Sequence, residues 1–152
     1  MTKLLVDRDV VNKRVGGVEA EVAELSELAK QPLEEFTEGP GWKLAQFHLH
    51  RALEGVFNIS THLLSRLPGG VATQYKEIAV QMGEKGLVPK EFAQTRLVEM
   101  AKYRNRLVHF YAEITADELY GLIKDDLGDF DLFLAAVKKT LSNLEEFGLA
   151  AE

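Results

Sequence analysis

The sequence predicts an all-α protein, and three observations carry that prediction. Apolar residues recur in steps of three and four along most of the chain. The breaks between these periodic segments are proline and glycine clusters: Pro32, Gly39-Pro40-Gly41, Pro68-Gly69-Gly70 and Gly128. Helix-start chemistry sits where a new segment begins, as at Pro89 and at Thr115-Ala116-Asp117-Glu118. At 152 residues the chain suits one domain, 1–152, with a real core.

The elements follow in order. Val11, Val15, Val18, Val22, Leu25 and Ala29 are spaced alternately by four and three, which gives an amphipathic first helix. Gly16 and Gly17 weaken it by about 1 kcal/mol each relative to alanine. Pro32 ends or restarts it. A second helix runs from about Lys43 to Ser65. Ala45, Leu49, Ala52, Val56, Ile59 and Leu63 form its main stripe, and Leu53, Phe57 and Leu64 widen it. So broad an apolar surface implies a central, buried helix. The remaining stripe is Arg51, Gly55, Asn58 and His62, where Gly55 allows a backbone or a ligand to come close. Arg51, Asn58 and His62 are therefore candidates to line a cleft; a solvated polar face is the alternative.

A shorter helix covers about Thr73 to Glu84 and is closed by Lys85-Gly86. The next runs from Glu91 to Tyr111 behind Pro89, with Leu97, Met100, Ala101, Leu107 and Val108 as its apolar stripe. The Thr115–Glu118 capping box opens another helix, which Gly128 ends. The last helix carries Phe130, Phe133, Val137, Leu141 and Leu144 on one face.

Composition excludes several classes. Hydrophobic residues at 46% and charged residues at 28% are ordinary for a globular domain. No run of about eighteen apolar residues occurs, so no membrane span is expected. The N-terminal stretch MTKLLVDRDVVNK has charges where a signal peptide needs an apolar core, and a cytoplasmic location is expected. The absence of cysteine excludes disulfides and cysteine-zinc sites. A net charge of −6 does not favour non-specific nucleic-acid binding, which a basic field drives. It leaves room for a focused site, because Arg96, Lys102, Arg104 and Arg106 make one region basic. A partner with a basic surface also fits.

The most telling stretch is Arg104-Asn105-Arg106-Leu107-Val108-His109-Phe110-Tyr111. Arg104 falls on the apolar stripe of its helix, where the pattern calls for another apolar residue. A guanidinium keeps its charge, so in an apolar seam it needs a partner or a ligand. Tyr111 shares that side, and Asn105 and His109 lie four apart on the adjoining stripe. This set suits phosphate chemistry: arginine holds an anion and histidine moves protons near neutral pH. The plainer alternatives are a solvated Arg-Asn-Arg face and a histidine placed favourably at the negative end of a helix dipole. On a regular helix, five residues put Arg104 and His109 roughly 140° apart. Convergence then needs the reach of the arginine, a helix distortion, or a second copy of the chain.

Arg, four intervening residues, His, one more, then Tyr resembles the signature of the HEPN superfamily in its HepT-like toxin branch. Ala52 to Arg66 (ALEGVFNISTHLLSR) is similar to that family's second helix, and Tyr75 to Pro89 (YKEIAVQMGEKGLVP) to its next helix and turn. With the motif and Asp117 to Leu141, the resemblance covers most of Leu44 to Leu144. It implies an antiparallel bundle of about five to six helices and a homodimer whose two motifs share one cleft. It also implies a toxin acting as a metal-independent endoribonuclease, in which the 2′-hydroxyl attacks the adjacent phosphate. Arg104 would stabilise the developing charge, His109 would be general base or acid, and Asn105 would orient phosphate or imidazole. Tyr111 would be the site at which a minimal nucleotidyltransferase antitoxin attaches AMP and silences the toxin. Arg106 would border the cleft. The resemblance tips Asn58 and His62 toward the cleft as well. A different class remains open: a non-catalytic nucleotide- or substrate-binding subunit of a two-component nucleotidyltransferase complex. A purely structural bundle would leave Arg104 without a purpose.

Other chemistry is not indicated. His48 and His50 are two apart, so on a helix they point to opposite sides and cannot share a metal. Gly16-Gly17 lacks the strand and lysine of a phosphate loop. Asp125, Asp126 and Asp129 read as a solvated helix junction. No cofactor and no metal are expected.

Overall fold

The computed structural model describes residues 4–70, 72–109 and 114–151. Helix α1 (Arg8–Leu28) starts at Asp7, whose carboxylate accepts from the Val10 N–H at 3.0 Å. It buries Val11, Val15, Val18 and Leu25, the periodic positions. Pro32 then restarts the chain as a short helix, α2 (Leu33–Glu38), which drives Phe36 wholly into the core. Helix α3 (Gly41–Leu64) is central, with Leu49, Leu53, Val56, Phe57, Ile59 and Leu63 all buried. Helix α4 (Tyr75–Glu84) follows the Pro68-Gly69-Gly70 turn.

The motif lies on a helical rod of three parts. Helix α5 (Lys90–Phe92) leads without a break into a π-helical turn (Ala93–Leu97), and this into α6 (Val98–Val108). Pro89 is the N-cap of the rod. The π turn inserts an extra residue into the helical count, a distortion that the regular spacing does not foresee. It faces Gly83 of α4, where a Cβ would stand 2.5 Å from the Cβ of Ala93. The absent side chain there lets the two helices touch.

Helix α7 (Ala116–Asp125) is capped by Thr115, whose hydroxyl accepts from the Glu118 N–H at 3.1 Å. Helix α8 (Gly128–Ser142) buries Phe130, Phe133, Leu134, Val137 and Leu141. A 3-10 turn (Leu144–Phe147) and Gly148, at φ 72°, then bring the chain back. Two short strands lie outside the all-helical expectation. β1 (Leu4–Val6) and β2 (Leu149–Ala151) pair in parallel, Leu4 opposite Leu149, with Val6 and Leu149 buried. With the α5–α6 rod counted once, the described residues hold seven helices. The expected five to six omitted α2, six residues long between Pro32 and Gly39.

The polar stripe of α3 faces α1. Reading antiparallel along the pair, Glu21 meets Arg51 at 2.8 Å, Val18 meets Gly55, Arg14 donates to the Asn58 carbonyl at 3.4 Å, and the Asp7 N–H donates to His62 Nε2 at 3.3 Å. What approaches Gly55 is thus α1: a Cβ on Gly55 would stand 2.5 Å from Val18 Cγ2. Val18 is buried and β-branched, so it has little room to give.

Gly55→Ala therefore sets overpacking of about 1–3 kcal/mol against a helix-propensity gain of about 1 kcal/mol. The expected outcome is a net fall in stability, read as a lower midpoint in urea unfolding. Adding Val18→Ala should recover part of the loss relative to the sum of the single effects. A Gly55→Ala protein at least as stable as the parent would show that the α1–α3 contact is looser than described.

Candidate functional site

Arg104 projects from α6 into the junction of α3, α4 and α6. Its Nε donates to Glu54 Oε1 of α3 at 2.6 Å, and its guanidinium carbon sits 3.9 Å from the centre of the Tyr75 ring of α4. A terminal amino group donates to Asn105 Oδ1 at 3.4 Å. The charge on the apolar stripe is thus met by a carboxylate, a ring face and an amide. The same Glu54 oxygen lies 3.5 Å from His50 Nε2, one turn back on α3.

The helix expected to reach Tyr111 ends at Val108. His109 is the C-cap, with φ −113° and ψ 117°, and its N–H turns back to the Arg106 carbonyl at 3.4 Å. Valine, histidine, phenylalanine and tyrosine in a row are poor helix formers, which favours an end here. The angle of roughly 140° between Arg104 and His109 therefore does not apply, because His109 has left the helix. Tyr111 lies outside the described residues.

A cavity of about 460 Å³ opens beside the motif. His109, Arg106 and Leu107 border it from the end of the rod, and Trp42, Phe47 and His50 border it from α3. Phe47 and neighbouring Leu44 are half-exposed apolar side chains, 56% and 46% accessible. A larger groove of about 530 Å³ lies between the α4–α5 turn and α8, lined by Leu87, Phe92, Leu132 and Phe147. It contains no motif residue and no histidine.

Arg106 is held by Glu118 of α7 in a two-pronged pair, 2.6 and 2.7 Å, and Glu118 also accepts from the Tyr103 hydroxyl at 3.1 Å. The Arg106 bonds hold the Glu118 carboxyl below the usual carboxylate range, against a smaller upward push from burial. The same contacts raise the Arg106 guanidinium further. Arg96 is engaged likewise by Asp129, at 2.8 and 2.6 Å, and by Asp126 at 3.1 Å. That ion pair, at the α7–α8 junction, is what the Asp125–Asp129 cluster serves. Among the described residues no group of three His, Cys, Asp or Glu is placed to hold a metal ion. Among them, no helix is long and apolar enough to cross a membrane.

The structure separates the sequence candidates into two groups. Arg104, Asn105, Arg106 and His109 lie together at the end of α6. Arg51, Asn58 and His62 belong to the α1–α3 seam described above. Arg51 is bonded to Glu21 and lies 5.5 Å from the centre of the Phe47 ring. Glu21 also takes His48 Nδ1 at 2.6 Å; burial pushes its carboxyl up, but the bonds from Arg51 and His48 bring it below its ordinary value. The resemblance tips Asn58 and His62 toward the cleft; here α1 lies along that stripe, Arg14 donating to the Asn58 carbonyl and the Asp7 N–H to His62 Nε2, while the Asn58 side chain is exposed. Glu54, His50, Tyr75 and Glu118 were missed. The signal for two of them was present, since His50 and Glu54 are four apart and share a helix face.

The family described as Ribonuclease HepT-like matches residues 18–137, and the chain belongs to it. The tRNA nuclease HepT of Aphanizomenon flos-aquae is 27% identical over 93 residues, 61% of this chain. The chain spans 63% of that relative's length. Among solved structures, the tri-AMPylated HEPN toxin of Shewanella oneidensis in complex with an MNT antitoxin has a TM-score of 0.79. It is 17% identical and covers 87% of this chain and 98% of its own. YutE of Bacillus subtilis, a cytosolic protein of unknown function, has a TM-score of 0.79 at 21% identity and covers 95% of this chain and 96% of its own. A toxin–antitoxin complex with AMP-PNP has a TM-score of 0.78 at 16% identity, over 87% of this chain and 99% of that one. At these identities the structural likeness establishes the HEPN fold.

His62 gives the seam a pH response. Burial first, and then the positive charges of Arg66 and Arg14, hold its imidazole below the ordinary value, outweighing Asp7. The unfolded chain therefore takes up a proton that the folded chain refuses. Stability is full above the ordinary histidine value of about 6.5. It should fall with pH below that value, until the folded imidazole also protonates. His62→Gln should flatten this part of the profile in urea unfolding at several pH values. An unchanged slope would show that His62 is not the group responsible.

Proposed function

We propose that this chain is the toxin of a toxin–antitoxin pair, an endoribonuclease that cuts RNA without a metal. The observation that carries the reading is the motif at the end of α6, with His109 bordering a cavity and Arg104 joined to the cavity's His50 through Glu54, in a chain of the HepT-like family. Arg104 stabilises the negative charge that develops on the phosphate. Glu54 takes its Nε and Asn105 one terminal amino group, which leaves the other terminal amino group for the substrate phosphate. His109 transfers a proton, and Asn105 orients the guanidinium or the phosphate. The 2′-hydroxyl attacks the adjacent phosphorus and the 5′-oxygen leaves, so the products are a cyclic phosphate and a 5′-hydroxyl. The name of the Aphanizomenon relative supports transfer RNA as the substrate class. The setting is cytoplasmic.

The active form in this reading is a homodimer. Phe47 and Leu44 offer apolar surface at the mouth of the cavity, and a second copy placed there brings two motifs to one cleft. A minimal nucleotidyltransferase antitoxin is the partner, a role supported by the antitoxin complexes among the structural relatives. It attaches AMP to Tyr111, two residues beyond His109. A phosphate added there competes for the arginine that holds the RNA backbone. A second reading, a non-catalytic nucleotide- or substrate-binding subunit, is favoured by the net charge of −6, which weakens RNA binding.

One assay separates the two. Purified protein in excess chelator should cut transfer RNA and leave cyclic-phosphate ends. Arg104→Ala should lower kcat by about 10²–10³-fold, as for other lost oxyanion donors. His109→Ala should lower it by about 10²–10⁴-fold, with circular dichroism unchanged in both. An intact wild-type protein that leaves RNA uncut would sink the nuclease reading and favour the binding subunit; cleavage that needs magnesium would refute the metal-independent mechanism.

Regulation is tested by mass. Co-expression with the neighbouring nucleotidyltransferase should add adenylate multiples that map to Tyr111 and abolish cleavage. Tyr111→Phe should stay unmodified and active. An inhibited complex with an unmodified Tyr111 would point to inhibition by binding alone.

A further inference from the structure

RNA cleavage by 2′-hydroxyl attack moves two protons. The O2′–P bond forms as O2′–H loses its proton to a base, and the P–O5′ bond breaks as O5′ gains a proton from an acid. One imidazole cannot do both in a single turnover step unless it swings between the two oxygens. The motif supplies one histidine. Its cavity is bordered by a second, His50, which comes from α3 and not from the motif helix. Its side chain is 42% accessible, so solvent and substrate can reach it.

We propose that His50 is the general acid of this site and His109 the general base, a reading that rests on the nuclease function above. His50 Nε2 lies 3.5 Å from Glu54 Oε1, which orients the ring at the edge of the cavity. The same oxygen takes Arg104 Nε at 2.6 Å. One carboxylate therefore fixes both the cation that holds the phosphate and the acid that serves the leaving oxygen. The other charged groups bordering His50 are Lys43 on its own helix, and Arg106 and His109 from the rod. Arg106 is committed to Glu118. The balance is closed: the proton lost by O2′ goes to His109, the proton gained by O5′ comes from His50, and solvent resets the pair.

The test uses full-length protein and an RNA oligonucleotide carrying the mapped wild-type cleavage site. A second oligonucleotide has sulfur in place of the bridging 5′-oxygen at that site. A thiolate leaves without protonation, so it makes a general acid dispensable. On the oxygen substrate, His50→Gln should lose about 10²–10⁴-fold in kcat with little change in KM. It should also lose the alkaline fall of the pH–rate profile. On the sulfur substrate it should return to within about tenfold of wild type, while His109→Ala should stay impaired. A His50→Gln protein with wild-type kcat, or a loss that sulfur does not rescue, would overturn the assignment while the nuclease function stood. A wild-type protein that cuts neither oligonucleotide would overturn both.

Discussion

The charge of Arg104 is the constraint around which this structure is arranged. It cannot be titrated away, and its position on α6 carries it into the packed side of the helix. Three elements answer it: α3 with Glu54, α4 with Tyr75, and α6 itself with Asn105. A partly exposed ion pair adds only about 0–1 kcal/mol of stability, so stability does not explain the arrangement. Under the proposed function, pre-organisation does. A guanidinium fixed before substrate arrives needs no reordering when charge develops on a phosphate.

The same economy governs the surrounding cations. Arg96 is matched by Asp129, Arg106 by Glu118, and Arg51 by Glu21. The basic region read along the sequence is therefore largely neutralised in space. If the proposed function holds, an RNA-binding surface built this way has little long-range field, and its affinity should depend on few phosphate contacts and vary gently with salt. Selectivity then rests on how a bound strand fits between α3 and the end of α6.

The periodic positions of α1, α3 and α8 were legible because each buries a continuous stripe. Val11, Leu49 and Phe133 sit where spacing alone puts them. The motif was legible because an arginine broke such a stripe. What escaped involves backbone geometry and distant pairing. The π turn at Ala93–Leu97 arises where α4 crosses at Gly83, which no local pattern announces. The end of α6 at Val108 was blurred because apolar residues continue past it. The α3 stripe of Arg51, Asn58 and His62 was ambiguous because polar residues can face a cleft, solvent or another helix; Gly55 decided the matter by admitting Val18. Glu54 and His50 were visible as a pair, but only the fold shows that Arg104 arrives beside them.

The parallel pairing of Leu4–Val6 with Leu149–Ala151 bears on synthesis. In chain order the two strands lie on either side of all the described helices. Parallel strands cannot be joined by a tight turn, so here the whole helical bundle serves as the crossover. During synthesis Leu4 and Leu5 cannot pair with β2 until the helices between the two strands have been made, and these collapse locally and fast. Closure of this small sheet therefore comes only after every helix that separates the strands has been made.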